Sequence, residues 1–161
     1  MELMQWLTET MLGEFTLTVL VSMIPVVELR GGIPFGAAAG LPVWAAFLAA
    51  VIGNLIPVPF IIVYIRRIFQ WMRKRLPKLN DLVDKLEEKA HLKGEKVTKY
   101  KYLGLMILVA IPLPGTGAWT GSLAAAFLDM PLHKALPSII AGVLIAGLAI
   151  GLLTHGVANI I

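Results

Sequence analysis

The chain has 161 residues, 58% of them hydrophobic and only 15% charged, with a mean hydropathy of +0.81. That excludes an ordinary soluble domain, which is about 45–50% apolar, and leaves room for one small membrane bundle and no second domain. Cysteine is absent, so disulfides, thiol catalysis and thiolate metal sites are excluded. Of the fourteen Lys and Arg residues, twelve lie between Arg66 and Lys101 with five acidic residues, a net of +7, and the rest of the chain carries −3.

Glu2, Glu9 and Glu14 precede the first basic residue, Arg30. The positive n-region and small-residue cleavage pattern of a signal peptide are missing. Phe15–Val27 is apolar for 13 residues, too short for a bilayer, which takes about 20 residues at 1.5 Å each. It runs into Glu28-Leu29-Arg30-Gly31-Gly32-Ile33-Pro34, two opposite charges and a helix-breaking Gly-Gly-x-Pro inside apolar sequence. A charge at the bilayer centre costs about 2.5–3.5 kcal/mol on insertion scales and normally faces a cavity.

Gly31-Gly32 permits unwinding and Pro34 suits the first position of a helix, so Ile33–Gly40 is expected as a half-helix starting at a hairpin tip. Val43–Ile65 follows as a full-length crossing, kinked by Pro57 and Pro59, with Asn54 beside Gly53 lining the pathway or capping broken backbone.

The segment 66–101 is basic and, by the positive-inside rule, cytoplasmic. Within it, Pro77 and Asn80 are start signals for an amphipathic helix with Leu79, Leu82, Val83, Leu86 and Ala90 at helical spacing, supported by the Asp81–Lys85 pair. Such a helix lies on an anionic lipid surface or packs against its copy in a dimer. Basic residues that flank membrane segments do not point to nucleic acid.

The second half repeats the pattern of the first. Tyr102–Ile111 is again short, Pro112-Leu113-Pro114-Gly115-Thr116-Gly117 is a second break, Ala118–Leu128 is small-residue-rich, and Leu132–Ile161 is long enough to cross. Pro25 answers Pro112, Ala37-Ala38-Ala39 answers Ala124-Ala125-Ala126, Leu41-Pro42 answers Met130-Pro131, and Gly53 answers Gly142, with one two-residue gap. The expected fold is therefore an all-α integral membrane protein built as an inverted repeat. Residues 1–65 and 102–161 each form a re-entrant helical hairpin followed by one transmembrane helix, with both termini outside. The alternative, four ordinary crossings, requires severe bilayer thinning at the short segments.

Thr116 is the expected N-cap of the second half-helix. Two helix N-termini and one guanidinium then converge near the middle of the protein, an anion site made by Arg30, Gly31, Gly32, Thr116 and Gly117. Glu28 is the expected proton-carrying group, its proton affinity set by burial and by the neighbouring guanidinium acting in opposite senses. A buried ion pair that only fixes the hairpin is the structural alternative. Trp119 and Thr120 are weaker candidates for lining the pathway, and Trp6, Trp44 and Trp71 read as interface anchors. His91, His133 and His155 have no metal spacing and no nucleophile partner, so neither a cofactor nor an enzymatic activity is expected.

The run Glu28–Pro34 with Gly36, followed by Ile111-Pro112-Leu113-Pro114-Gly115-Thr116-Gly117-Ala118-Trp119, resembles the small multidrug export protein family of bacteria and archaea over most of the chain. More distantly, paired hairpins carrying a Glu and an Arg resemble the DedA/VTT superfamily, whose members are implicated in proton-linked flipping of lipids such as undecaprenyl phosphate. By position Glu28 matches the acidic residue of the first hairpin there, while Thr116–Gly121 lacks the arginines of the second.

The resemblance implies a secondary transporter or flippase for an anionic lipid in a prokaryotic plasma membrane. Export of hydrophobic cations by proton antiport is one alternative, and a non-transporting assembly factor is another. Small-residue faces at Ala37–Gly40, Ala45-Ala46 and Gly142–Gly151 suit close helix packing, within the chain or in a homodimer.

Overall fold

A computed structural model describes Trp6 and residues 9–75, 81, 84, 85, 88, 101–113 and 115–158. The expected amphipathic helix on Leu79, Leu82, Val83, Leu86 and Ala90, its start signals Pro77 and Asn80, and Pro114 lie outside the described residues, as does most of 66–101. Among the described residues all regular structure is helical.

Helix α1 (Met11–Ser22) starts where Thr10, in an extended conformation, accepts the Gly13 N–H on its hydroxyl at 3.0 Å. Five non-helical residues, Met23–Val27, separate it from α2 (Glu28–Ala38). After Pro42 comes α3 (Val43–Leu55), and after an interruption at Ile56 comes α4 (Pro57–Arg75), with proline at its first position. The second half holds α5 (Lys101–Ala110), a break at 111–117, α6 (Ala118–Phe127) and α7 (Leu132–Ala158).

Among the described residues two stretches, the 23-residue Val43–Ile65 and the 26-residue Leu132–Val157, are long and apolar enough to cross a membrane. Helices α1, α2, α5 and α6, of 10 to 12 residues, span only about 15–18 Å each.

The half-helix expected to begin at Ile33 begins five residues earlier, at Glu28, and both Gly31 and Gly32 are helical with Pro34 inside the second turn. The glycines serve contact instead of unwinding. A Cβ at Gly32 would overlap the Ser22 hydroxyl, and one at Gly36 would sit 2.8 Å from the Thr18 hydroxyl and 2.9 Å from Ala46. Pro34 removes a single N–H, the one that would meet the Arg30 carbonyl.

Packing follows from these small residues. Helices α1 and α2 run antiparallel, with Gly36 on Thr18 and Gly32 on Ser22, and α2 continues onto α3 with Gly36 on Ala46 and Gly32 on Ala50. Gly53 of α3 lies directly on the Val19 carbonyl of α1, and Gly142 of α7 lies on the Met106 carbonyl of α5. The halves interlock, because α4 packs on α6 and α7 packs on both α2 and α3. Leu29, Ile33, Val58, Leu105, Val109 and Ile139 meet in the shared core.

The hydrogen bonds that close α2 recur at the end of α6, 89 positions later. Leu41 N–H reaches Gly36 C=O at 3.0 Å and Met130 N–H reaches Ala125 C=O at 2.9 Å; Gly40 N–H reaches Ala37 C=O and Asp129 N–H reaches Ala126 C=O, both at 3.3 Å. Gly40 (φ 112°) and Asp129 (φ 53°) hold the same left-handed position in these turns. The pair Gly53 on Val19 and Gly142 on Met106 is spaced by 89 in α3 and α7 but by 87 in α1 and α5. The two-residue gap therefore falls in the break itself, and Ala37-Ala38-Ala39 corresponds to 126–128 and not to the alanines at 124–126.

Candidate functional site

The first break ends in strained backbone: Val26 (φ 76°) and Glu28 (φ 49°) both occupy the left-handed region, which costs side-chain-bearing residues about 1–3 kcal/mol each and persists where surrounding contacts hold it. What holds it lies at the second break. Glu28 is 3% exposed, and its Oε1 accepts the backbone N–H of Trp119 at 3.1 Å. Gly117, the residue before α6, has φ 129°, and a Cβ there would overlap the Glu28 carboxylate. The glutamate of the first half is thus the cap of the second half's short helix, satisfying N–H groups that a helix start leaves unpaired and placing a negative charge on the positive dipole end.

Arg30 does the converse at the other side of the same break. Its Nη1 donates to the Leu113 carbonyl at 2.5 Å, and its Nη2 to the Ile111 carbonyl at 3.1 Å and to the Thr116 hydroxyl at 3.0 Å. These acceptors lie just past the C-terminal end of α5, where carbonyls have lost their helical donors. Both side chains bond to the second break. A guanidinium bonds the acceptor end of the break and a carboxylate bonds its donor end.

Thr116 is not the N-cap of α6, since that place belongs to Gly117, which makes no side-chain bond, and to Glu28 from outside the helix. The Thr116 hydroxyl lies 2.7 Å from the Ile111 carbonyl and 2.8 Å from that of Leu113 while accepting from Arg30. Gly31 N–H is bonded to the Val27 carbonyl at 2.9 Å, and Gly32 is buried on Ser22. Thr120 donates to the Gly115 carbonyl at 3.1 Å. Trp6, Trp44 and Trp71 are exposed, as anchors must be.

Among the described residues, the buried side-chain polar atoms without a hydrogen-bond partner are Arg30 Nε, Trp119 Nε1 and both amide atoms of Asn54. All three residues are candidates from the sequence, and each keeps unused hydrogen-bonding capacity where none is expected to be left over. The carbonyls of Ile111 and Leu113 escaped sequence reasoning. The available signal was that a broken helix needs donors at its carbonyl end, and that Arg30 is the only basic side chain before Arg66.

A family model described as "Putative small multi-drug export protein" matches residues 28–149, well over half of the chain. The chain belongs to this family. The match begins at Glu28 itself, directly after the first break, and covers the second. No curated protein and no solved structure matches the chain. Membership in an export-protein family and two crossing-length apolar stretches together point to a membrane protein.

Proposed function

We propose that this export protein carries an amphiphile with an anionic head, most concretely a polyprenyl (undecaprenyl) phosphate-like lipid, across a prokaryotic plasma membrane with proton coupling. The observation that carries the reading is the position of Arg30. Arg30 lines a groove of about 290 Å³ whose other walls are Pro34, Ile150, Leu153, Thr154 and Val157. Apolar walls suit a hydrocarbon chain, and a guanidinium suits a phosphate. Glu28 holds the α6 start while ionised. Taking up a proton weakens that hold and frees donors at a helix N-terminus, with Gly117, Thr116 and Arg30 around them, for the incoming anion.

The short helices and the recurrent turns support an inverted repeat of two re-entrant hairpins, each followed by one crossing. In that arrangement 66–101 is cytoplasmic and both termini are outside. Lys134 Nζ lies 5.8 Å from the centre of the Tyr102 ring, so the start of α7 is level with the start of α5, where the basic segment re-enters. Asn54, Trp119 and Thr120 line the path, and a homodimer would complete it at the small-residue faces.

Reconstituted protein should move a labelled polyprenyl phosphate under a pH gradient, and Arg30→Ala should abolish the movement. Preserved transport in both Arg30→Ala and Glu28→Gln would sink the site. The family's description favours a second reading, proton antiport of hydrophobic cations through Glu28. Against it stand Arg30 and the positive end of α6, and competition by cationic dyes would decide for it. Both variants functioning fully in cells without any transport would favour an assembly factor.

A further inference from the structure

Asn54 presents the least explained chemistry in the fold. It is fully buried in α3, and neither its Oδ1 nor its Nδ2 has a partner. An unbonded amide in such a place is costly, and natural proteins keep one where it has something to meet.

The packing register says what that is. Helices α2 and α3 meet at Gly36 with Ala46 and at Gly32 with Ala50. One further step of four residues along each helix pairs Glu28 with Asn54. Both residues are buried, and Asn54 continues the i, i+4, i+8 row that α3 turns toward α2.

We infer that Asn54 is a second seat for the Glu28 carboxyl, occupied when that carboxyl is protonated. The inference rests on reading Glu28 as the proton-carrying group. The two seats differ in kind. The start of α6 offers backbone N–H groups and a positive dipole end, which complement a carboxylate that only accepts. An amide offers one acceptor and two donors, which complement a neutral carboxyl that both donates and accepts. On taking one proton from water, Glu28 donates its O–H to Asn54 Oδ1 and accepts from Nδ2 in a two-bond ring. Returning the proton to water sends it back to Trp119 N–H. Protonation thereby moves the latch off α6 without leaving a buried carboxyl unbonded.

Few other charges act on this exchange. On α2 itself Arg30 is the neighbour. Helix α3 and helix α6 carry no charged residue. Glu14 of α1 lies beside Gly40, at the far end of α2. On α7, His133 and Lys134 are near its start, and His155 borders the groove of Val43, Trp44 and Phe47, at the opposite end of α3 from Asn54.

Trp119 reports on the latch, since its own N–H is the bond to Glu28. With Trp6, Trp44 and Trp71 changed to Phe, all three being exposed, the emission of Trp119 is followed against pH in lipid vesicles without substrate. A single transition is expected, absent in Glu28→Gln. Asn54→Leu should move it to lower pH by about one unit, the worth of roughly one hydrogen bond to the neutral form, and Asn54→Ser should move it by less.

An unmoved transition in both Asn54 variants would overturn the inference and leave Asn54 as the holder of a buried water. So would a transition that survives Glu28→Gln. Because no substrate is present, failure of lipid transport with an Asn54-dependent transition would refute the proposed substrate alone. Transport with an Asn54-independent transition would refute the second seat alone.

Discussion

The break at 23–27 and the break at 111–117 hold matching places in their halves, yet they are built from different materials. In the register set by the helix-closing turns, Glu28 and Arg30 stand where the second half has Gly117 and Trp119. The first half contributes charged side chains and places positive φ on Val26 and Glu28, residues that resist it. The second half contributes backbone groups and the Thr116 hydroxyl, is two residues longer, and places positive φ on Gly115 and Gly117, which tolerate it. One break reaches out and the other is held. Two similar helix-closing turns thus flank one-sided contacts, and the buried charged side chains come from the first half alone.

Removing the complementarity between the breaks should have the largest effect. Gly117→Ala adds a strained φ and a carbon on top of the Glu28 carboxylate, so a loss of about 3 kcal/mol or more is expected, read as loss of the folded fraction in detergent melts and of transport. Arg30→Ala abandons three acceptors of the second break and should cost about 3 kcal/mol. Arg30→Lys should recover little of it, because a single ammonium cannot fork across Ile111, Leu113 and Thr116. Gly53 and Gly142, each seated on a carbonyl of a short helix, offer a sharper comparison. Gly53→Ala and Gly142→Ala each push a methyl into a carbonyl of the matching short helix and should destabilise by similar amounts, about 1–3 kcal/mol. A large inequality between them would show that the halves share less than their turns imply.

Smaller effects probe the charge itself. Glu28→Gln keeps an acceptor for Trp119 but loses the ionised cap, so about 1 kcal/mol of stability should go together with the pH dependence of transport. Thr116→Val removes one of the acceptors of Arg30 and should cost about 1 kcal/mol, measured as a lowered melting temperature with transport reduced but present.

The short helices and the second break were legible in the sequence because they follow from counting residues against bilayer thickness, while the first break lies at 23–27, ahead of the Glu28–Pro34 run in which the sequence placed it. The partners of Glu28 and Arg30 were not, because they lie 81 to 91 positions away and backbone groups carry no letter of their own. Gly31-Gly32 misled for a physical reason. In apolar sequence a glycine marks unwinding and close helix contact equally well, and only the neighbour at Gly32, Ser22, distinguishes them. The alanine triplets misled in another way, since in a chain rich in alanine a shift of two still matches like with like. Asn54 was visible as an oddity in an apolar helix, but its level with Glu28 required the register of α2 against α3.

The bond between Glu28 and Trp119 joins residues 91 positions apart, and that separation has a consequence during synthesis. At about 5–20 residues per second, roughly 5–18 s pass between the making of one and the making of the other. Throughout that interval the first half enters the membrane with a carboxylate and a guanidinium whose partners do not yet exist. It must either linger at the lipid–water boundary or turn the two charges on each other, and arrival of the second break then draws them apart. Biogenesis of this small protein is therefore a waiting problem, and slowing translation between the halves is the perturbation to which its folding yield should be most sensitive.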